Sequence, residues 1–434
     1  MEKKAPVKKG ALGWYFNFNL LYRILIGLVL GAILGIILAA NGVTALPAWV
    51  SMFGNIFMRL LKMIIIPIMM ATLIVGASSV SPASLGKVGI RIVVLYLITS
   101  AFAVVIGLLM GAIFRPSAGL ATLAANAAGK TASVSIWTTI AEIIPTSVAT
   151  AIVNEKVLQV IFFTLVFGIS LSYLKIAQDE RLRNAGLVIY NFFDGVAEIM
   201  MRIVKGIMEY APIGVFVLVM EVFAKNGAKV AGSLAVVTIA CFLGYLIHVL
   251  LVYGGILRIG KIKGKTFFNA AKEPFLTAFV TRSSNGTLPV TMQGAESLGI
   301  QKDVYGFSLP LGATINMDGT AIYQGVCSIF IALSVGHGMF SFGQMCLIVV
   351  AATLASIGTA GVPGAGAIML VMVMETVGLP IKEGTTIAGA YALILGIDAI
   401  LDMGRTALNV TGDLTCTAFV AKKMGMLTDD SPIK

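Results

Sequence analysis

The sequence predicts an all-α polytopic membrane protein. Of 434 residues, 58% are apolar and only 12% charged. The apolar residues fall in long runs, and most charges lie between them. A soluble globular chain is about one quarter charged, whereas one membrane span needs about 20 apolar residues. The length suits about eight spans with short connections. The net charge of +11 raises a nucleic-acid reading. The basic residues, however, sit in short loops flanking apolar runs, as the positive-inside rule requires. The partner implied is the lipid bilayer, with no nucleic acid.

The N-terminal stretch MEKKAPVKKGALGWYFNFN carries Lys3, Lys4, Lys8 and Lys9 without a cleavage-site pattern. It reads as an uncleaved cytoplasmic terminus. A first span covers residues 20–40, and the uncharged loop 41–49 suits the outside. A second span, 52–76, is expected to be interrupted at Pro67. Arg59 and Lys62 within it would snorkel or face a partner subunit. Lys87 and Arg91 mark an inside loop. The third span, 92–114, clusters Tyr96, Thr99 and Ser100, and an irregular external loop follows over 115–135. Shorter apolar pieces between 136 and 174 break at Pro145. Lys175, Arg181 and Arg183 mark the inside again. A segment over 197–223 contains Pro212, and a span over 230–257 precedes the basic loop of Arg258, Lys261, Lys263, Lys265 and Lys272. Lys422 and Lys423 lie near the C-terminus, so both termini fall inside.

Beyond Lys265 the alternation of helix and loop fails. Residues 277–292 read TAFVTRSSNGTLPVTM, and residues 355–368 read ASIGTAGVPGAGAI. Each is a small, polar, Pro-containing tract between apolar flanks too short to span alone. That suits a re-entrant hairpin whose irregular tip lines a cavity. The tips share a pattern: Ser284-x-Gly286-Thr287 with Pro289, and Ser356-x-Gly358-Thr359 with Pro363. Each precedes a helix with a polar kernel, Asn316-Met317-Asp318-Gly319-Thr320 after the first and Asp398 to Asp413 after the second. Repeats with broken helices are the sequence mark of secondary transporters.

The second kernel reads GIDAILDMGRTALNVTGD over 396–413. At 100° per residue, Asp398, Asp402, Arg405, Asn409 and Asp413 fall at roughly 0°, 40°, −20°, 20° and 60°. This narrow stripe cannot face lipid, since its four charges would cost about 10–14 kcal/mol there. A structural ion pair of Arg405 with one Asp leaves two buried carboxylates unanswered. A solute and cation site answers all of them. Asp318 and Asp413, near Asn316 and Asn409, offer the oxygens a hard cation takes, and sodium and protons both stay open. Gly319 and Gly412 favour locally distorted helix that frees carbonyls. Arg405 offers a planar fork to a carboxylate, and Asp402 can accept from an ammonium group. Together they would read a zwitterion or an acidic amino acid.

Other chemistries find little material. Cys241, Cys327, Cys346 and Cys416 lie in apolar runs, and His248 and His337 read as isolated. No HExxH, GxSxG or GxxxxGK[ST] tract exists. Two close carboxylates could act as acid and base, but Arg405 beside them would hold its neighbour ionised. The expectation is therefore a carrier rather than an enzyme or an ATP-driven pump. A pore lined by polar helices is the competing class.

The tracts TRSSNGTLPVTM, GATINMDGTAIYQGV, SIGTAGVPGAGAIM and GIDAILDMGRTALNVTGD resemble the sodium-coupled dicarboxylate and excitatory amino-acid transporter family. They are most similar to its archaeal sodium/aspartate symporters. The likeness covers most of the chain and is densest from Arg258 onward. It implies eight transmembrane helices plus two re-entrant hairpins, inverted repeats, and a homotrimer working by an elevator motion in the cell membrane. Residues 1–82 (spans 1–2) and 116–228 (spans 4–5, trimerisation) would form the scaffold. Residues 83–115 (span 3) and 229–434 (span 6, hairpin 1, span 7, hairpin 2, span 8) would form the transport domain.

The resemblance also implies residue roles. Arg405 would bind a substrate side-chain carboxylate and Asp402 its amino group, with Thr320, Asn409, Thr406 and Arg282 nearby. Ser284, Val362 and Gly366 would hold the main-chain carboxylate. Sodium would take Gly312, Asn316, Asn409, Gly412 and Asp413; Thr314, Ser356, Ile357 and Thr359; and Tyr96, Thr99, Ser100, Asn316 and Asp318. Met317 would sit between ions and solute, and the tip 360–366 would be the gate. No organic cofactor is implied, only sodium as coupling ion. Arg405 favours an acidic substrate, and Gln324, where proton- or potassium-coupled members carry Glu, favours sodium alone. Asn285 replaces a Ser of the first tip, which bears on affinity and on the choice of aspartate over glutamate. The expected function is sodium-coupled symport of L-aspartate or L-glutamate. The alternatives are a proton- or sodium-coupled C4-dicarboxylate transporter, or a carrier with associated anion-channel activity.

Overall fold

The computed structural model describes residues 18, 20–79, 88–116, 144–154, 156–357, 361, 364–382 and 385–434. Among these the regular elements are helices, with one isolated bridge between Ile300 and Leu427. Helix α1 is Leu20–Ala40, and α2 is Ala48–Ser79. Helix α2 runs through Pro67 without ending, so the expected interruption is corrected. One missing N–H is tolerated where neighbouring turns and helices hold the rest of the ladder. Helix α3 is Ile90–Phe114, α4 is Val148–Val153 and α5 is Val157–Leu174. The expected external loop after α3 lies largely outside the described residues.

Helix α6, Glu180–Asn226, has 47 residues and starts well before the apolar segment read from the sequence. Asp179 sets its start by accepting hydrogen bonds from the amides of Arg181 (2.8 Å) and Leu182 (3.3 Å), an N-cap that hydropathy does not reveal. At 1.5 Å per residue it is about 70 Å long, more than twice the hydrocarbon thickness. Helix α7 (Lys229–His248) continues through a π turn, Val249–Tyr253, into α8 (Gly254–Ile259).

Two helical hairpins follow. The first joins α9 (Gly264–Thr281) to α10 (Ser284–Ser297), and the second brings α13 (Phe342–Ile357) beside α14 (Ala365–Thr376). Between them stands a broken helix, α11 (Lys302–Ile315) and α12 (Asp318–Ser334), separated by Asn316 and Met317. The last helix, α15 (Thr386–Lys423), is continuous. The expected helix distortion at Gly412 is therefore corrected. Its missing side chain instead admits Tyr253 and Asn316, on which a Cβ would intrude.

Among the described residues six helices are long and apolar enough to cross a membrane: α1, α2, α3, α6, α7 with α8, and α15. The two other expected spans fall on the interrupted pairs α4–α5 and α11–α12. Helices α1 and α2 pack along α6, and α5 packs on α2. The approach of α1 to α6 is close. A Cβ on Gly27 or Gly31 would stand 2.5 Å from the carbonyl oxygen of Pro212 or Phe216, a small-residue interface of the kind used where lipid supplies no hydrophobic drive. Arg23 on α1 pairs with Glu209 on α6 at 2.8 Å. Helix α3 packs instead on α12, and α9 to α12 gather around α15. Helix α15 thus forms the axis on which both hairpins and both polar kernels converge.

Candidate substrate and cation site

The two hairpin tips meet. Arg282 ends α9 in the left-handed region, with φ 55° and ψ 32°, and Ser283 returns the chain in an extended conformation. The Ser283 hydroxyl accepts from the Gly286 amide at 3.0 Å, capping α10. It also donates to the Gly361 carbonyl of the second tip at 2.9 Å. The Asn285 amide donates to the same carbonyl at 3.3 Å. Gly364 leads into α14 with φ +83°, a conformation that glycine adopts without a Cβ penalty. Its amide donates to Asp402 Oδ2 at 3.2 Å. The second tip is thereby fastened to the first tip on one side and to α15 on the other.

Arg405 lies under this junction, 1% exposed. Its Nε and Nη2 donate to Asp402 Oδ1 at 3.0 and 2.7 Å. Its Nη1 and Nη2 reach Asp398 Oδ1 and Oδ2 at 3.0 and 3.4 Å. Thr406 also donates to Asp402 Oδ1, at 3.3 Å. The guanidinium stands 4.5 Å from the Tyr323 ring centroid, a placement that favours the cation. A Cβ on Gly366 would meet the guanidinium at 2.8 Å, so only glycine lets α14 lie this close. Arg405 therefore answers two carboxylates, not one, and the group keeps one excess negative charge. Arg282 and Asp398 line a cavity of about 20 Å³ with Phe57 and Met208.

A second carboxylate cluster surrounds the break between α11 and α12. Asp318 is 0% exposed. Its Oδ1 accepts from Ser100 at 2.8 Å. Its Oδ2 accepts from Tyr253 at 2.7 Å and faces His248 Nε2 at 3.2 Å. Asp413 Oδ1 accepts from Asn316 Nδ2 at 3.0 Å. Thr99 Oγ1 stands 3.0 Å from the Tyr96 carbonyl and 3.2 Å from Asn316 Oδ1. Gly312 closes this cluster, since a Cβ there would meet Asp413 Oδ1 at 2.5 Å. Asn409, one turn beyond Arg405 on α15, holds the break from the other side. Its Oδ1 accepts from the Gly319 amide at 2.7 Å, one of the orphan donors at the start of α12. Its Nδ2 donates to Met317 Sδ at 3.0 Å.

The residues expected from the sequence thus fall in two groups. Arg405, Asp402, Thr406 and Gly366 form one, and Tyr96, Thr99, Ser100, Asn316, Asp318 and Asp413 form the other. Thr320 is buried on the first turn of α12. The Thr314 hydroxyl bonds back to the Leu311 carbonyl of its own helix at 2.9 Å. Ser284 is buried at the start of α10, while the bond to the second tip comes from Ser283. Thr359 and Val362 lie outside the described residues, as do the side chains of Ser356 and Ile357.

Sequence reasoning missed three features. Asp398 partners Arg405 directly, and its place in the polar stripe was the available signal. Gly364 binds Asp402 through its amide, which no side-chain pattern shows. His248 is not isolated: it faces Asp318. A histidine within an apolar span was the signal there. Among the described residues no group of three or more His, Cys, Asp or Glu gathers as a metal centre.

Comparison with known proteins places the chain in a family. The model of the sodium:dicarboxylate symporter family matches residues 20–423. A proton/sodium-glutamate symport protein of Bacillus subtilis is 32% identical over 94% of this chain and 94% of its own. A proton/glutamate-aspartate symporter of Escherichia coli is 31% identical over 95% of this chain and 93% of its own. C4-dicarboxylate transport protein 3 of Bradyrhizobium diazoefficiens is 32% identical over 88% and 84%. These relatives are transporters, not enzymes.

Proposed function

This chain belongs to the sodium:dicarboxylate symporter family, and from that premise we propose a secondary transporter that couples sodium to the symport of an acidic amino acid, L-aspartate or L-glutamate. The observation that carries the proposal is Arg405, buried beneath both hairpin tips and held by Asp398 and Asp402. The guanidinium is kept paired by its own helix, so Arg405 is not left as an unanswered buried cation. An entering side-chain carboxylate takes over the Arg405 fork that Asp402 now occupies. Asp402 is then released toward the substrate ammonium. That exchange needs a solute bearing both groups, and a simple dicarboxylate leaves Asp402 without a partner.

Asp318 and Asp413 supply the cation ligands, with Thr99, Ser100, Asn316, Asn409 and the Gly312 and Tyr96 backbones. The Met317–Asn409 contact lies beside them at the break. Gln324, fully buried on α12, has no exchangeable carboxyl proton, which supports sodium over protons. The packing of α1, α2 and α5 with α6, apart from α3 with α12, supports a scaffold of residues 1–82 and 116–228 and a moving body of residues 83–115 and 229–434. Trimeric assembly, an elevator motion and cytoplasmic termini complete the proposal.

Uptake of labelled L-aspartate into proteoliposomes tests this reading. It requires an inward sodium gradient, saturates, and stops when potassium replaces sodium. Sodium-independent or unsaturable flux would overturn it. The likeness to a C4-dicarboxylate transporter favours succinate as the second reading. Strong competition by succinate, with none by L-glutamate, would select that reading.

A further inference from the structure

The π turn in the middle of the α7–α8 span is the least expected feature of the backbone. It covers Val249–Tyr253, and the Gly254 amide reaches the Val249 carbonyl. In an α-helix, residues five apart point about 140° away from each other. A π turn closes its hydrogen bonds from i to i+5 and brings such residues toward one face. Here those residues are His248 and Tyr253. Both reach the same atom, Asp318 Oδ2, at 3.2 and 2.7 Å. Their rings pack edge to face with centroids 4.7 Å apart.

Each group has donation to Asp318 as its natural role. The Tyr253 hydroxyl lies 2.7 Å from the carboxylate and 3.2 Å from the Leu408 carbonyl, so its single proton goes to the nearer, charged oxygen. His248 is 0% exposed, and its Nδ1 has no hydrogen-bond partner. The proton of the neutral ring therefore belongs on Nε2, toward Asp318. With both donors on Oδ2, the other oxygen is turned to the α3 side. Oδ1 takes the Ser100 hydroxyl there, one residue from Thr99, which reaches Asn316 and through it Asp413.

We propose that His248 and Tyr253 are positioning residues for the coupling cation: placed together by the π turn, they occupy Oδ2 of Asp318 and present Oδ1 to the ion. The proposal rests on the reading of Asp318 as a cation ligand. It assigns the outer residues of that site to the α7–α8 span, on the far side of Asp318 from α3. Outer partners of a ligating carboxylate commonly change ion affinity 10- to 100-fold.

The test is sodium titration of the purified full-length protein by calorimetry, alongside the sodium dependence of uptake. His248→Leu and Tyr253→Phe each raise the sodium concentration at half-saturation by about tenfold or more. His248→Gln, which keeps a side-chain N–H, restores it to within a few-fold of wild type. L-Aspartate affinity extrapolated to saturating sodium stays unchanged. If His248→Leu proves unstable, Tyr253→Phe and His248→Gln still decide. Loss of thermal stability with an unaltered sodium midpoint would show a packing role only and overturn the proposal. Asp318→Asn separates the two levels. If it leaves sodium binding intact, the cation-site reading itself fails. If it abolishes sodium binding while Tyr253→Phe does not shift it, only the positioning role fails.

Discussion

The two carboxylate clusters around α15 are solved in opposite ways. Asp398 and Asp402 share a fixed cation, Arg405, with every contact between 2.7 and 3.4 Å. Asp318 and Asp413 are as deeply buried, yet their described partners are neutral or neutralisable: Ser100, Tyr253, His248 and Asn316. A buried carboxylate without an opposite charge is costly. The first cluster thus carries its own cation on the same helix, and on the proposed reading it selects solutes by exchanging partners. On the same reading, the second is completed by a cation that arrives. The proposal therefore places selectivity and coupling in separate groups along α15.

Arg405→Ala has the largest expected effect on the difference between the clusters. It leaves Asp398 and Asp402 without their cation, and removing one member of a buried pair costs about 3–5 kcal/mol. L-Aspartate binding falls by at least about 100-fold, as measured by calorimetry at saturating sodium. If affinity survived, the role given to Arg405 would be wrong. Asp318→Asn acts on the other cluster. The sodium midpoint of uptake rises by more than about tenfold, while aspartate affinity at saturating sodium changes far less. An equal loss of both would merge the two clusters into one functional unit.

Gly366→Ala sharpens the boundary of the first cluster. Its methyl would stand 2.8 Å from the guanidinium, and overpacking of this kind costs about 1–3 kcal/mol. The aspartate KM rises roughly 5- to 100-fold on that cost, and the sodium midpoint holds. Ser283→Ala has the smallest effect. It removes the α10 cap and one of the two bonds to Gly361, a loss of about 1 kcal/mol. A modest drop in the thermal transition and faster hairpin opening, read by a spin-label pair across the tips, are expected. An unchanged tip distance distribution would mean that the Asn285 amide alone holds the gate.

Much of this architecture was legible in the chain. The polar stripe of α15 follows from helical spacing, and the two helical hairpins follow from the small polar tracts at 277–292 and 355–368 amid apolar flanks. The break at Asn316–Met317 was foreshadowed by its polar kernel, although the Gly319 amide just after it finds its partner, Asn409, 90 residues away. Other features were hidden because they depend on three-dimensional registration. Pro67 looked like a break, but neighbouring helices keep α2 continuous. Gly412 looked like a distortion, but its bare Cα makes room for Tyr253. His248 looked isolated because residues five apart do not share a face until a π turn intervenes. Hydropathy saw only the apolar part of α6, since its first turns are polar and set by an Asp cap.

The most direct test of the division between clusters is sodium binding to purified Arg405→Ala without amino acid, by calorimetry. The account predicts that the variant binds sodium with near wild-type affinity while binding no L-aspartate. Loss of sodium binding from the folded variant would contradict it, because the cation cluster would then depend on the charge that holds the substrate cluster together.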